Sequence, residues 1–289
     1  MARITITDAR DGIRLRLYVR QKKSSISTPI EALWKKQATI ITPATAKSAI
    51  GTGEVPGAWK DAWRKTIREF VRDDIATAWV KGIGSGGDVV AKKVNLIQRR
   101  EFDFDVTMAA IKAWVDSHGG ALIVDLTAAQ IGSIHALLQS QIALGVTSPY
   151  ILAQRIRPMI GLTVREAKAV GKFISSLTED GVSPVAINKQ VSKYTKYLHK
   201  NRASRIARTE ISNAYNFGQM NSIKQAVAGD QLPGTLEKAW MAGGQNPCEV
   251  CLDNEAAGVI QLEEAFPSGH MHPTAHPQCE CAVGYTVRR

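Results

Sequence analysis

All four cysteines of this 289-residue chain fall within 34 positions of one another, as Cys248-x-x-Cys251 and Cys279-x-Cys281, with His276 three residues before the second pair. Two tight turns joined by a loop are how small tetrahedral zinc sites are built: each turn supplies two donors, and the loop between adds little closure entropy. The pattern predicts a structural zinc near the C-terminus. Cys248 and Cys251 are the firmest ligands, while His276, Cys279 and Cys281 compete for two remaining places. The alternative is a pair of reduced, metal-free motifs. Met1 to Asp8 lack the basic-then-apolar pattern of a secretory signal, and no charge-free apolar run approaches about 18 residues. This reads as an intracellular chain without a membrane span, where clustered cysteines bind metal more often than they form disulfides.

The charge is unevenly distributed. The chain carries +11 overall, with +11 in residues 1–100, +2 in 101–200 and −2 in the remainder. Arg14, Arg16, Arg20, Lys92, Lys93, Arg99 and Arg100 supply much of the N-terminal excess. A second cluster, Lys193, Lys196, Lys200, Arg202, Arg205 and Arg208, has no acid among its members, and the spacings put most of them along one broad helical stripe. Such concentrations favour an anionic partner, nucleic acid first, and the plainer alternative is a solvated basic surface. Residues 241–280 hold six acids and no Lys or Arg. The cysteine region therefore repels a phosphate backbone, which argues against a DNA-reading zinc finger.

Two enzyme readings compete with a structural metal. Pro247-Cys248-x-x-Cys251 matches half of the zinc deaminase signature, but none of His118, His135 and His199 is followed by the glutamate of an H-x-E. The run His270-Met271-His272-Pro273-Thr274-Ala275-His276 offers ligands for a metal-dependent nuclease, yet no cation between 241 and 280 is available to grip a scissile phosphate. His118, before Gly119-Gly120, reads as a helix C-cap, and His135 as a satisfied histidine inside a helix.

The expected fold is mainly α, with a small β-containing, zinc-stapled C-terminal module and an N-terminal β-hairpin. Ile13, Leu15, Leu17 and Val19 alternate with Arg14, Arg16 and Tyr18 after the turn signal Asp11-Gly12, which predicts a hairpin with an arginine-rich face. Residues 21–57, rich in Ser, Thr, Pro and Gly, read as an extended arm. Trp59, Trp63, Ile67, Val71, Ile75 and Trp79 recur every four residues, a core-facing helical stripe with Pro56 before it and Gly82 and Gly84 after. Thr127 with Gln130 opens a helix closed by Gly145, Ser148-Pro149 opens another, and Thr163 with Glu166 opens one ending at Gly181. Ser183-Pro184 begins a long helix to about Ala228, stopped at Gly229. Leu236–Met241 and Val283–Val287 are strand candidates. Three domains are expected: 1–55, the hairpin and basic arm; 56–230, a helical body; and 231–289, the Cys/His module.

Arg202-Ala203-Ser204-Arg205-Ile206-Ala207-Arg208-Thr209-Glu210, then Ala214-Tyr215-Asn216-Phe217-Gly218-Gln219, Trp240, Cys248-x-x-Cys251 and His276-Pro277-x-Cys279-x-Cys281 together resemble the phage Mu F-like minor head (head morphogenesis) protein family. The resemblance covers roughly residues 110–285. It implies a non-enzymatic virion component at the portal vertex or capsid interior, present in the bacterial cytoplasm during assembly. The implied partners are the portal protein, the major capsid or scaffolding protein, and DNA bound without sequence preference. The family motif falls on Arg208, Thr209 and Glu210. Two residues apart on a helix, Arg208 and Glu210 point to different sides and cannot pair, so they are expected to clamp the helix to the zinc module or to the portal. Glu280 departs from the resemblance, since relatives commonly carry arginine there. The competing reading is a metal-dependent nuclease or toxin-like enzyme built on the C-terminal Cys/His cluster.

Overall fold

The computed structural model describes residues 3–288. The chain is mainly helical with one small antiparallel sheet, and it forms two compact units interleaved along the sequence. The first comprises Met1–Ile26, Ala76–Asp116 and Arg205–Arg289; the second comprises Ser27–Ile75 and Ser117–Ser204.

The first unit contains β1 (Arg3–Thr5) and α1 (Ala9–Lys22) at its N-terminal end. The hairpin expected over residues 4–19 is not there. Asp8 caps α1 by accepting from the Arg10 amide at 2.8 Å, and the Asp11 carboxylate returns a bond to the Asp8 amide at 2.9 Å. Asp11-Gly12 is thus the first turn of a helix rather than a hairpin tip, because the capping box satisfies amides that a hairpin would leave open. The apparent alternation resolves into a helical face: Gly12, Leu15 and Val19 are buried, while Ile13 and Leu17 are half exposed. The long α5 (Ala76–Gln98) and the second half of α9 (Pro184–Ala228) pack closely in this unit. A Cβ on Gly86 would collide with the Tyr215 carbonyl, and one on Gly218 with the Ile83 carbonyl. Gly82 and Gly84 therefore lie inside α5 instead of ending a helix. Around this crossing Trp79 meets Trp114 edge to face, and Trp114 stacks on Phe217 with ring centres 4.6 Å apart.

The sheet of this unit has the order β1-β4-β2-β3, all antiparallel, with β2 at Thr235–Met241, β3 at Val259–Gln261 and β4 at Ala282–Arg288. Both strand candidates thus pair with each other, Leu236 opposite Val287 and Trp240 opposite Val283. β1 lines up against β4, Arg3 opposite Arg288, so the two ends of the chain close one sheet.

The second unit is entirely helical. It contains most of α2 (Ser24–Ala38), α3 (Pro43–Thr52), α4 (Gly57–Phe70) with a π turn at Val71–Ile75, and α6 (Ala109–Ala143) from Ser117 onward. It also contains α7 (Pro149–Ile156), α8 (Val164–Glu179) and the first half of α9. The expected extended arm at 21–57 is two helices. Ile30, Leu33, Trp34 and Gln37 bury one face of α2 at helical spacing, and Thr42 with Thr45 boxes the start of α3, which Gly53 ends at φ 70°. Burial of that stripe outweighs the weak local propensity of a Ser/Thr/Pro-rich segment. The caps at Ser148 and Thr163 and the left-handed glycines Gly145 and Gly181 stand where the sequence puts them. Thr127, however, lies mid-helix in α6 with its side chain buried, and His118 is also inside α6, so it caps nothing.

By length and composition α6 is long and apolar enough to cross a membrane, with a mean hydropathy of 1.6 over its best window, of which 39% is buried. The core helix of a water-soluble fold passes the same test, and Leu126, Ile134, Leu137 and Leu138 are buried among their neighbours.

Candidate metal centre

The five Cys/His candidates converge within the first unit. Cys248 is the N-cap of α10 (Glu249–Ala256), and Cys251 follows on its first turn, its amide bonded to the Cys248 carbonyl at 3.0 Å. Across from them, the turn His276-Pro277-Gln278-Cys279 closes through a 3.0–3.1 Å set of contacts: the Cys279 amide donates to His276 O at 3.1 Å, and the His276 Nδ1 donates to Pro277 O at 3.0 Å. A carbonyl only accepts, so that second bond puts the ring proton on Nδ1 and leaves Nε2 as the lone-pair donor.

His276 Nε2 lies 3.1 Å from Cys248 Sγ and 3.2 Å from Cys251 Sγ, and Cys251 Sγ lies 3.7 Å from Cys279 Sγ. Two groups can hold a metal, Cys248/Cys251/His276 and Cys251/Cys279/Cys281, with the donor atoms of each within 4.8 Å of one another. Cys251 belongs to both. A tetrahedral zinc with Zn–S of about 2.3 Å has S···S edges of about 3.8 Å, which the Cys251–Cys279 separation matches.

The electrostatics of the cluster favour a cation. Burial pushes the Cys251 thiol up to about 12, and Cys279, donating to its neighbour Cys281, is raised further. That same hydrogen bond lowers Cys281 to about 6. Holding several of these buried sulfurs as thiolates at once would require a positive ion among them. The donor set, soft sulfur with one imidazole, suits zinc.

The family-motif residues attach α9 to this cluster. Arg208 forms an ion pair with Glu280, the residue between Cys279 and Cys281, and Thr209 Oγ1 accepts from the Gln278 amide at 3.0 Å. Glu210 points elsewhere, into the core, where it accepts from Trp79 Nε1 at 3.0 Å. The sequence offered no signal for these partners, because all three contacts join segments at least 69 residues apart. Lys238 was also missed. It sits in the apolar row between Leu236 and Trp240, fully buried, donates to the Met271 carbonyl at 3.0 Å and stands 5.1 Å from the centre of the Phe266 ring. Burial lowers its pKa to about 8. A lysine on the inward phase of a strand was the available clue.

His270 bonds Ser268 and His272 bonds Pro273 O at 2.6 Å, and among the described residues neither joins a metal-competent group. The cationic candidates are dispersed. Arg14 and Lys93 both pair with the buried Asp11, at 2.9 and 2.8 Å. Arg16 and Arg20 face a groove beside α1, Lys92 and Arg100 are exposed, and Arg99 ends α5 at φ 53°. Lys193, Lys196 and Lys200 are exposed on the half of α9 in the second unit.

No curated protein and no solved structure matches the chain. Residues 171–284 match the model of the family described as Phage Mu protein F like protein. That span is shorter at its N-terminal side than the resemblance read from the motifs, and it includes the Arg208-Thr209-Glu210 motif and every Cys/His candidate. The segment 171–284, less than half of the chain, is thus similar to the Phage Mu protein F like family.

Proposed function

We propose that the protein is a non-enzymatic minor head protein of a tailed bacteriophage, taking part in head morphogenesis at the portal vertex. The observation that carries this reading is the family match over the segment in which α9 grips the Cys/His turns. In this reading Cys248 and Cys251 hold a structural zinc with two of His276, Cys279 and Cys281. A metal held there would supply charge neutralisation and a cross-link between α10 and the turn before β4, and the chain's own residues do the rest. Arg208 and Thr209 hold that turn against α9, while Nδ1 of His276 keeps its ring oriented. Stapling suits a small sheet of few strands, which buries too little apolar area to hold its loops unaided.

The partners follow from the same reading: the portal protein first, then the major capsid or scaffolding protein. DNA would meet the exposed cations, Lys193, Lys196 and Lys200 on α9 and Lys92, Arg99 and Arg100 at the end of α5, without sequence preference and with steep salt dependence. The test is co-expression with the portal protein of the same phage, followed by size-exclusion chromatography. Co-elution supports the assignment, and separate elution of two well-folded proteins contradicts it.

A further inference from the structure

The outer face of α1 lines a groove of about 570 Å³ whose far wall reaches Arg208, Cys279 and Glu280 beside the candidate metal centre. Ile13 and Leu17, one helical turn apart, form its apolar floor at 52% and 50% exposure. Arg16, Arg20 and Lys23 rise from the same helix face, and among the described residues none of the three has a carboxylate within ion-pair distance. The far wall carries Arg208 and Glu280, whose charges are committed to each other. The groove thus joins an i, i+4 apolar pair to three unneutralised cations, all on elements of the first unit.

We propose that this groove is a docking site for an acidic amphipathic helix of a partner protein. Two apolar side chains on the incoming helix, three or four residues apart, would cover Ile13 and Leu17, and flanking Asp or Glu would meet Arg16, Arg20 and Lys23. Charge complementarity selects an acidic occupant. The apolar floor selects protein over nucleic acid, because a phosphate backbone leaves Ile13 and Leu17 without an apolar partner.

The experiment uses the full-length protein and a fluorescein-labelled acidic peptide of about 18 residues, with leucines at alternating three- and four-residue spacing, long enough to become helical on docking. A scrambled peptide of the same composition and a DNA duplex of about 20 base pairs are measured beside it. The proposal expects the amphipathic peptide to bind at least about tenfold more tightly than the scrambled one. It expects Ile13→Ser/Leu17→Ser, a surface change without altered charge, to remove that preference. Arg16→Gln/Arg20→Gln should weaken the amphipathic peptide with the fold intact by circular dichroism. Equal binding of the two peptides overturns the proposal. So does tight duplex binding that falls with the arginine variant while the amphipathic peptide fails to bind, which would mark a phosphate surface.

Discussion

Arg208, halfway along the 45-residue α9, pairs with Glu280, which sits between two cysteines of the candidate metal cluster. Both side chains are about one-third exposed. With the neighbouring bond from Gln278 to Thr209, the pair ties the turn carrying His276, Cys279 and Cys281 to the helix that holds the family motif.

Arg208→Ala should lower stability by about 1 kcal/mol, since a solvent-accessible ion pair is worth no more than that. The exchange Arg208→Glu/Glu280→Arg should recover at least half of the loss. A double-mutant cycle read by thermal unfolding measures the coupling, and additive single effects would show that the contact carries no energy.

Glycines of α5 and α9 should divide sharply. Gly86→Ala and Gly218→Ala drive a methyl into a facing carbonyl and should each cost about 2 kcal/mol or more. Gly84→Ala meets nothing within 4 Å and should stabilise the helix by about 0.5–1 kcal/mol. Urea unfolding of the three variants checks both signs.

These glycines also mark where the sequence ceased to be legible. Local signals with a unique reading were recoverable: Thr163 with Glu166, Gly181, and the ends of α9 at Pro184 and Ala228 all stand as read. Signals with two readings went astray. Asp11-Gly12 serves a hairpin tip or a capped first turn equally well, and the Asp11 contacts to Lys93, 82 residues away, lie outside any local window. Gly82 and Gly84 look like terminators because glycine weakens helices, whereas Gly86 and Gly218 show that glycine here lets two backbones approach. At the candidate metal cluster the donors were visible from spacing, but the supports of their turn, Thr209 and the Arg208–Glu280 pair, are tertiary.

His199 on α9 lies 2.7 Å from the Ile160 carbonyl and 5.3 Å from the Trp34 ring. Burial, reinforced by Arg202, lowers its pKa below the ordinary value near 6.5. The unfolded chain then takes up the proton more readily than the folded one. Its contribution to stability is present above about pH 6.5 and is lost as pH falls through the depressed folded value. His199→Gln should be less stable than the parent at pH 7.5 and should close that gap towards pH 5. Urea midpoints across that range measure it, and a gap independent of pH would contradict the assignment.

The most direct test of the stapled module is the metal content of full-length protein purified without added zinc, measured beside Cys251→Ser, the variant that removes the cysteine shared by both metal-competent groups. The account predicts one zinc per parent chain, with the metal lost and the melting temperature lowered in the variant, and the same lowering when a chelator strips the parent. A well-folded parent that holds no metal, and whose melting temperature chelation leaves unchanged, would contradict it.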